Sequence, residues 1–215
     1  MTHVAVPVGR ADTAGRMRPA DTDSGHEPDE ALMLGYARGD AGSFERLYAR
    51  HKGPTFRYFL RHTCDRTAAE ELHQDLWLKV VRARERYAAE ARFTTWLYTL
   101  ARHRLVDHWR AQRGTRFVPL EEDCADDPQD DRSDSDARVD RADPLHRVID
   151  AQAGARLQEA LTHVPAAQRD AFLLHVEGGL SLGEIATVSG VPTETVKSRL
   201  RYAYRRLRAA LEDLQ

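Results

Sequence analysis

Apolar positions along this chain recur with the three-and-four spacing of a helix, and no stretch alternates over the length of a strand. The clearest case lies near the C-terminus, where Val196, Leu200, Ala203, Leu207 and Leu211 predict one buried stripe. The neighbouring face carries Lys197, Ser198, Arg201, Arg205 and Arg208. Upstream, Ser181 and Glu184 have the spacing of a capping box, which predicts a helix opening at Leu182. Ser189-Gly190 should end that helix, and Pro192 suits the first position of the next. A short helix, a glycine turn and a second helix that is apolar on one side and basic on the other predict a helix-turn-helix.

The same pattern organises the rest. Asp29 can cap a helix bearing Leu32, Met33, Tyr36 and Ala37 that stops at Gly39-Asp40. A second helix starts near Ser43, buries Phe44, Leu47, Tyr48 and His51, and should break at Gly53-Pro54; Phe56, Phe59, Leu60 and Thr63 mark a third. A longer helix over about 67–87 has Ala69, Leu72, Leu76, Val80 and Ala83 as its stripe, and another runs over about 93–113. Helical spacing resumes at Ala155 with Leu157, Leu161 and Val164, then with Ala171, Phe172, Leu174 and His175 up to Gly178-Gly179. The expected fold is all-α: two small helical domains, 29–113 and 152–215, joined by a flexible acidic linker at 114–151, the second domain being the helix-turn-helix. Residues 1–28 read as a disordered tail.

Charge changes the picture, because the formal total of -2 hides a segregation. Residues 121–143 hold eleven acids against three arginines, which leaves the remainder of the chain at +6. From Thr193 to Arg208 there are six basic residues and one acid. The helix from Phe93 sets Phe93, Trp96, Tyr98 and Trp109 among Arg92, Arg102, Arg104, Arg110 and Arg113. Basic groups interleaved with aromatic rings suit single-stranded nucleic acid, since every unstacked base offers a π-face and every linkage a phosphate. Part of this aromatic set must be core, with Phe93, Leu97, Leu100 and Ala101 on the buried side.

Other chemistry is poorly supported. There is no HExxH, no glycine-rich phosphate loop and no nucleophile elbow. His51, His62, His73, His103 and His108 lack a ligand spacing shared with carboxylates, and His62, Cys64 and His73 read as scattered side chains rather than a metal set, so neither enzyme, cofactor nor metal is expected. Two cysteines, Cys64 and Cys124, make no disulfide framework and fit a reducing cytoplasm. No run is long and apolar enough to span a bilayer. A stand-alone helix-turn-helix regulator with an N-terminal sensing domain is the alternative reading, disfavoured by the lack of sustained heptads for a dimer.

The order of parts resembles the extracytoplasmic-function (ECF) sigma factors of bacterial RNA polymerase over residues 29–212. The stretch DEALMLGYARGDAGSFERLYARH is similar to the opening of that family's promoter-melting domain, AAEELHQDLWLKVV to its polymerase-binding helix, and FTTWLYTLARHRLVDHWR to its strand-capturing helix. ALTHVPAAQRDAFLLHVEGGLSLGEIA followed by TVKSRL is similar to its second domain. The resemblance implies a protein that binds core RNA polymerase and directs initiation by reading and melting promoter DNA. It implies polymerase contacts at Glu70, Glu71, Gln74, Asp75 and Trp77. Minus-ten contacts fall at Arg92, Phe93, Trp96, His103, Asp107 and Arg110, and minus-thirty-five contacts at Thr195, Lys197, Ser198, Arg201 and Arg205. Arg199, Arg205 and Arg206 are expected at phosphates or solvent. His103 departs from the asparagine frequent in the family, and Tyr202 and Tyr204 stand where basic residues are common. The acidic linker would lie in the polymerase's basic RNA channel as a mimic of nucleic acid. Members of the family are often held by an anti-sigma factor.

Overall fold

A computed structural model describes residues 27–113 and 151–212. The tail and the acidic linker, with the channel-mimic role expected of it, lie outside the described residues. Among these residues the chain is helical throughout: α1 (Asp29–Ala37), α2 (Ala41–Thr63), α3 (Arg66–Ala83), a 3-10 turn (Arg84–Arg86), α4 (Phe93–Arg113), α5 (Ala151–Thr162), α6 (Ala166–Val176), α7 (Leu182–Ser189) and α8 (Thr193–Glu212).

Local signals start and stop most of these helices. Asp40 caps α2 by accepting from the Gly42 amide at 3.0 Å, and Asp65 caps α3 by accepting from Thr67 at 2.9 Å. Asp29 falls inside the first turn of α1 instead of capping it, and its carboxylate holds Arg50 and His51, each at 2.7 Å. The expected break at Gly53-Pro54 does not occur, and α2 runs through it for 23 residues. Leu47 before the proline, and Tyr58 and Phe59 after it, are fully buried on one side, so interrupting the helix would lift one set out of the core. The buried Thr55 hydroxyl donates to the His51 carbonyl at 2.6 Å, next to the Arg50 carbonyl whose helical donor Pro54, lacking an N–H, does not supply.

α1 to α4 pack around Leu32, Met33, Leu47, Phe59, Leu72, Leu76, Val80, Phe93, Leu97 and Leu105. α5 to α8 pack around Leu161, Phe172, Leu174, Ile185, Val196, Leu200, Ala203 and Leu207. Tyr204 turns inward, its ring edge-on to Phe172 at 5.3 Å.

The two halves do not stand apart: their buried side chains form one continuous cluster, with α2 against α6 and α4 against α7. Tyr98 of α4 packs edge-on against Tyr58 at 5.5 Å and closely against Gly178. A methyl group at Gly178 would lie 2.6 Å from the Leu174 carbonyl and 3.1 Å from the Tyr98 ring, so only glycine allows this approach. Two carboxylates of the second half cross the seam, and each is 3% exposed. Asp170 accepts from the Tyr58 hydroxyl at 2.8 Å and from Arg102 Nε at 2.9 Å, with His62 Nε2 at 3.4 Å. Glu177 takes Arg57 at 2.9 Å and Arg61 at 2.5 Å. Burial works against the charge of Asp170, but the His62 ring and the Arg102 guanidinium outweigh it and hold the carboxyl at about 2. Burial also pushes His62 below the usual imidazole range, against the pull of Asp170.

Candidate nucleic-acid interface

The helix-turn-helix is built as its pattern predicts. Ser181 Oγ accepts from the Glu184 amide at 3.4 Å, and Glu184 Oε2 accepts from the Ser181 amide at 2.8 Å, which completes the capping box at the start of α7. Gly190 ends α7 at φ 73, and its amide and that of Val191 both bond the Ala186 carbonyl, turning the chain into α8. α8 buries Val196, Leu200, Ala203 and Leu207 and leaves Lys197, Arg201, Arg205 and Arg208 exposed. Thr195 and Ser198 sit half-buried at the edge of that face; the Ser198 hydroxyl gives its proton to the Thr195 carbonyl at 2.9 Å and keeps its oxygen as an acceptor. Tyr202 lies between two guanidiniums, with Arg201 5.1 Å and Arg205 4.9 Å from its ring centroid. Its ring thereby orders two basic side chains on the exposed face. Arg199, expected at a phosphate or in solvent, is instead 7% exposed, because it falls on the side of α8 that faces the other helices.

α4 presents a second face. His103, Asp107 and Arg110 are exposed at one- and two-turn spacing, with Asp107 3.8 Å from Arg104 and 3.9 Å from Arg110. Trp96 is half-buried, edge-on to Tyr87 at 5.1 Å. Phe93 is fully buried beside His51 and Trp96, so it supports the start of α4 from within the core. Its amide donates to Glu30 Oε1 of α1 at 2.6 Å, a capping contact from 63 residues away that no local pattern announces. Just before the helix, Arg92 is exposed and lies 3.4 Å from Glu184, whose Oε1 also accepts from the Thr95 hydroxyl at 2.8 Å. Burial pushes the Glu184 carboxyl up, but the Ser181 amide and hydroxyl, Thr95 and Arg92 together hold it below the usual range.

On α3, Glu70, Glu71 and Gln74 are exposed, Glu70 bonding Arg66 at 2.9 Å. Asp75 is tied to Arg104 of α4. Trp77 is 6% exposed: its indole N–H donates to His73 Nε2 at 3.0 Å and its ring meets Tyr48 edge-on at 4.8 Å. It belongs to the core that carries the α3 surface, not to that surface. Leu78, 43% exposed, lies one turn from Gln74 on that face, and its place off the buried stripe of α3 is the sequence signal that marks it.

The comparisons with known proteins meet this arrangement half by half. Sigma-70 region 2 matches residues 47–115, and Sigma-70 region 4 matches residues 154–207. The ECF RNA polymerase sigma factor SigL of Mycobacterium tuberculosis is 30% identical over 185 residues, covering 86% of this chain and 97% of the relative. The chain belongs to the ECF sigma factors. The ECF sigma factor RpoE of Cereibacter sphaeroides is 31% identical over 191 residues, covering 87% of this chain and 97% of its own. Two solved folds are also similar. CnrH in complex with the cytosolic domain of CnrY has a TM-score of 0.60 at 20% identity, over 86% of this chain and 97% of that one. RpoE of Bartonella quintana, with the anti-sigma factor NepR, has a TM-score of 0.58 at 22% identity, over 80% and 98%. As an ECF sigma factor, the protein binds core RNA polymerase and promoter DNA and directs transcription initiation. Family membership sets aside the stand-alone regulator. In the described residues of this sigma factor, no helix is long and apolar enough to cross a membrane.

Proposed function

We propose that this sigma factor divides promoter reading between two helices. α4, in the domain at 29–113, takes the minus-ten element through Arg92, Trp96, His103, Asp107 and Arg110, with Phe93 holding the helix start from behind. α8, in the domain at 152–215, reads the minus-thirty-five duplex through Thr195, Lys197, Ser198, Arg201 and Arg205. The observation that carries this assignment is the exposed, Tyr202-ordered basic face of α8 behind a capped helix and glycine turn, the form in which a helix enters a major groove. Glu70, Glu71 and Gln74, joined by Leu78, form the polymerase-docking face, while Asp75 and Trp77 position it. The phosphodiester chemistry is left to the polymerase, and the protein works in the cytoplasm beside it. Two similar folds were solved with a bound protein, which supports a protein inhibitor as a further partner.

Abortive initiation with core polymerase on a promoter library tests this directly. Promoter-dependent product that requires the protein and falls on Lys197→Ala or Trp96→Ala is expected. Undiminished product from both variants would overturn the division of labour.

A further inference from the structure

α2 and α4 bring Arg57, Tyr58, Arg61, His62 and Arg102 together on the face turned towards the second half. Arg102 adjoins His103 in sequence, but one helical step of about 100° carries it from the exposed side of α4 to the seam. The cradle thus formed is filled by Asp170 and Glu177. Elements centred at minus ten and minus thirty-five lie about 25 base pairs apart, roughly 85 Å of duplex at about 3.4 Å per step. α4 and α7 touch through Glu184, so both elements are read together only when the halves part. Parting takes Asp170 and Glu177 away from three guanidiniums and exposes them on one face, where clustered cations attract a polyanion. The anion that reaches α4 in a promoter complex is the DNA backbone.

We propose that Arg57, Arg61 and Arg102 form a promoter-phosphate site that Asp170 and Glu177 occupy in the closed protein, so that the second domain's acids compete with DNA for the first domain. This rests on α4 being the minus-ten helix. It assigns DNA contacts to α2, and it makes the closed form a self-inhibited one. An acidic face of a polymerase subunit is the rival occupant, and continuity of the cradle with α4 favours the DNA.

Three measurements on the full chain decide it. In holoenzyme, Arg57→Gln with Arg102→Gln should flatten the dependence of log affinity on log salt by about 1 to 2, since each lost phosphate contact removes about 0.7 to 0.9. That slope reports contacts in the open complex and is blind to a merely structural role in the closed form; an unchanged slope overturns the proposal. In the free protein, Asp170→Asn with Glu177→Gln should bind a nontemplate minus-ten oligonucleotide at least tenfold more tightly than the parent chain, and no gain in a variant that keeps its helical signal overturns it. Benzoylphenylalanine in place of Arg57 should crosslink to promoter DNA in the open complex, and crosslinks to polymerase subunits alone overturn it. Trp96→Ala on the same template tests the assignment of α4 separately, so failure of that reading is distinguishable from failure of the cradle.

Discussion

α4 and α8 are both long, both basic, and both offered to promoter DNA, yet their polar residues are disposed in opposite ways. On α8 the basic residues off the buried stripe stand open, ordered within the helix by Tyr202. On α4 and just before it, Arg92, Arg102 and Arg104 each find an acid on another helix: Glu184, Asp170 and Asp75. The difference teaches that equal charge on two helices does not mean equal availability. A helix at the edge of the fold keeps its cations for a ligand, whereas a helix at a seam spends them on its neighbours.

The largest effect that would break this comparison comes from the seam. Asp170→Ala leaves Tyr58, His62 and Arg102 facing an empty place, and loss of one partner from a buried charge pair costs about 3–5 kcal/mol. Urea unfolding followed by tryptophan emission checks it, because Trp109 lies 5.6 Å from His62. A cost below about 1 kcal/mol, the level of exposed pairs, would show that the seam behaves as a surface.

Acid should open the seam next. Asp170 is lowered in the closed protein from 3.8 to about 2, so its contribution is complete above pH 4 and is lost as pH falls towards 2. That shift corresponds to about 2 kcal/mol. His62 is lowered from 6.5 by burial, so the open form takes up a proton more readily, and closure begins to weaken already as pH falls below 6.5. Arg102, Arg169 and the Tyr58 hydroxyl surround the pair and do not titrate in this window, burial and Asp170 raising the phenol well above its usual value. Scattering profiles from pH 7 to pH 3 should show expansion with the helical signal retained; constant dimensions to pH 3 would contradict the assignment.

A smaller effect sharpens the contrast. Ser181→Ala removes the capping box of α7 and should cost about 1 kcal/mol in chemical denaturation. The smallest effect on stability belongs to Lys197→Ala, within about 0.5 kcal/mol because the side chain is exposed. The same change should lower the salt slope of minus-thirty-five binding by about 1 if Lys197 meets a phosphate. Stability and binding thus move in opposite proportion at the seam and on α8.

The C-terminal half was legible because its signals are local. Ser181, Glu184, Gly190 and the stripe from Val196 to Leu207 lie within a few turns of one another, and each acts through its own helix. The run of α2 through Pro54 was not legible, because what keeps it continuous is burial on both sides of the proline. Spacing put Phe93 on the buried side of α4, but it did not separate Trp77 from surface aromatics: rings suit a core and a stacking platform equally, and only the packing of Tyr48 and His73 around Trp77 decides.

The sequence by itself determined most of the helices, their all-α character and the family. Periodicity, caps and motif order are properties of neighbouring residues, and they survive without knowledge of the rest of the chain. Only the tertiary structure decided which of the basic residues are free. Whether Arg102 or Arg201 faces water depends on whether a carboxylate from a distant segment stands opposite, and Asp170, 68 residues beyond Arg102, does so only once the chain has folded back on itself.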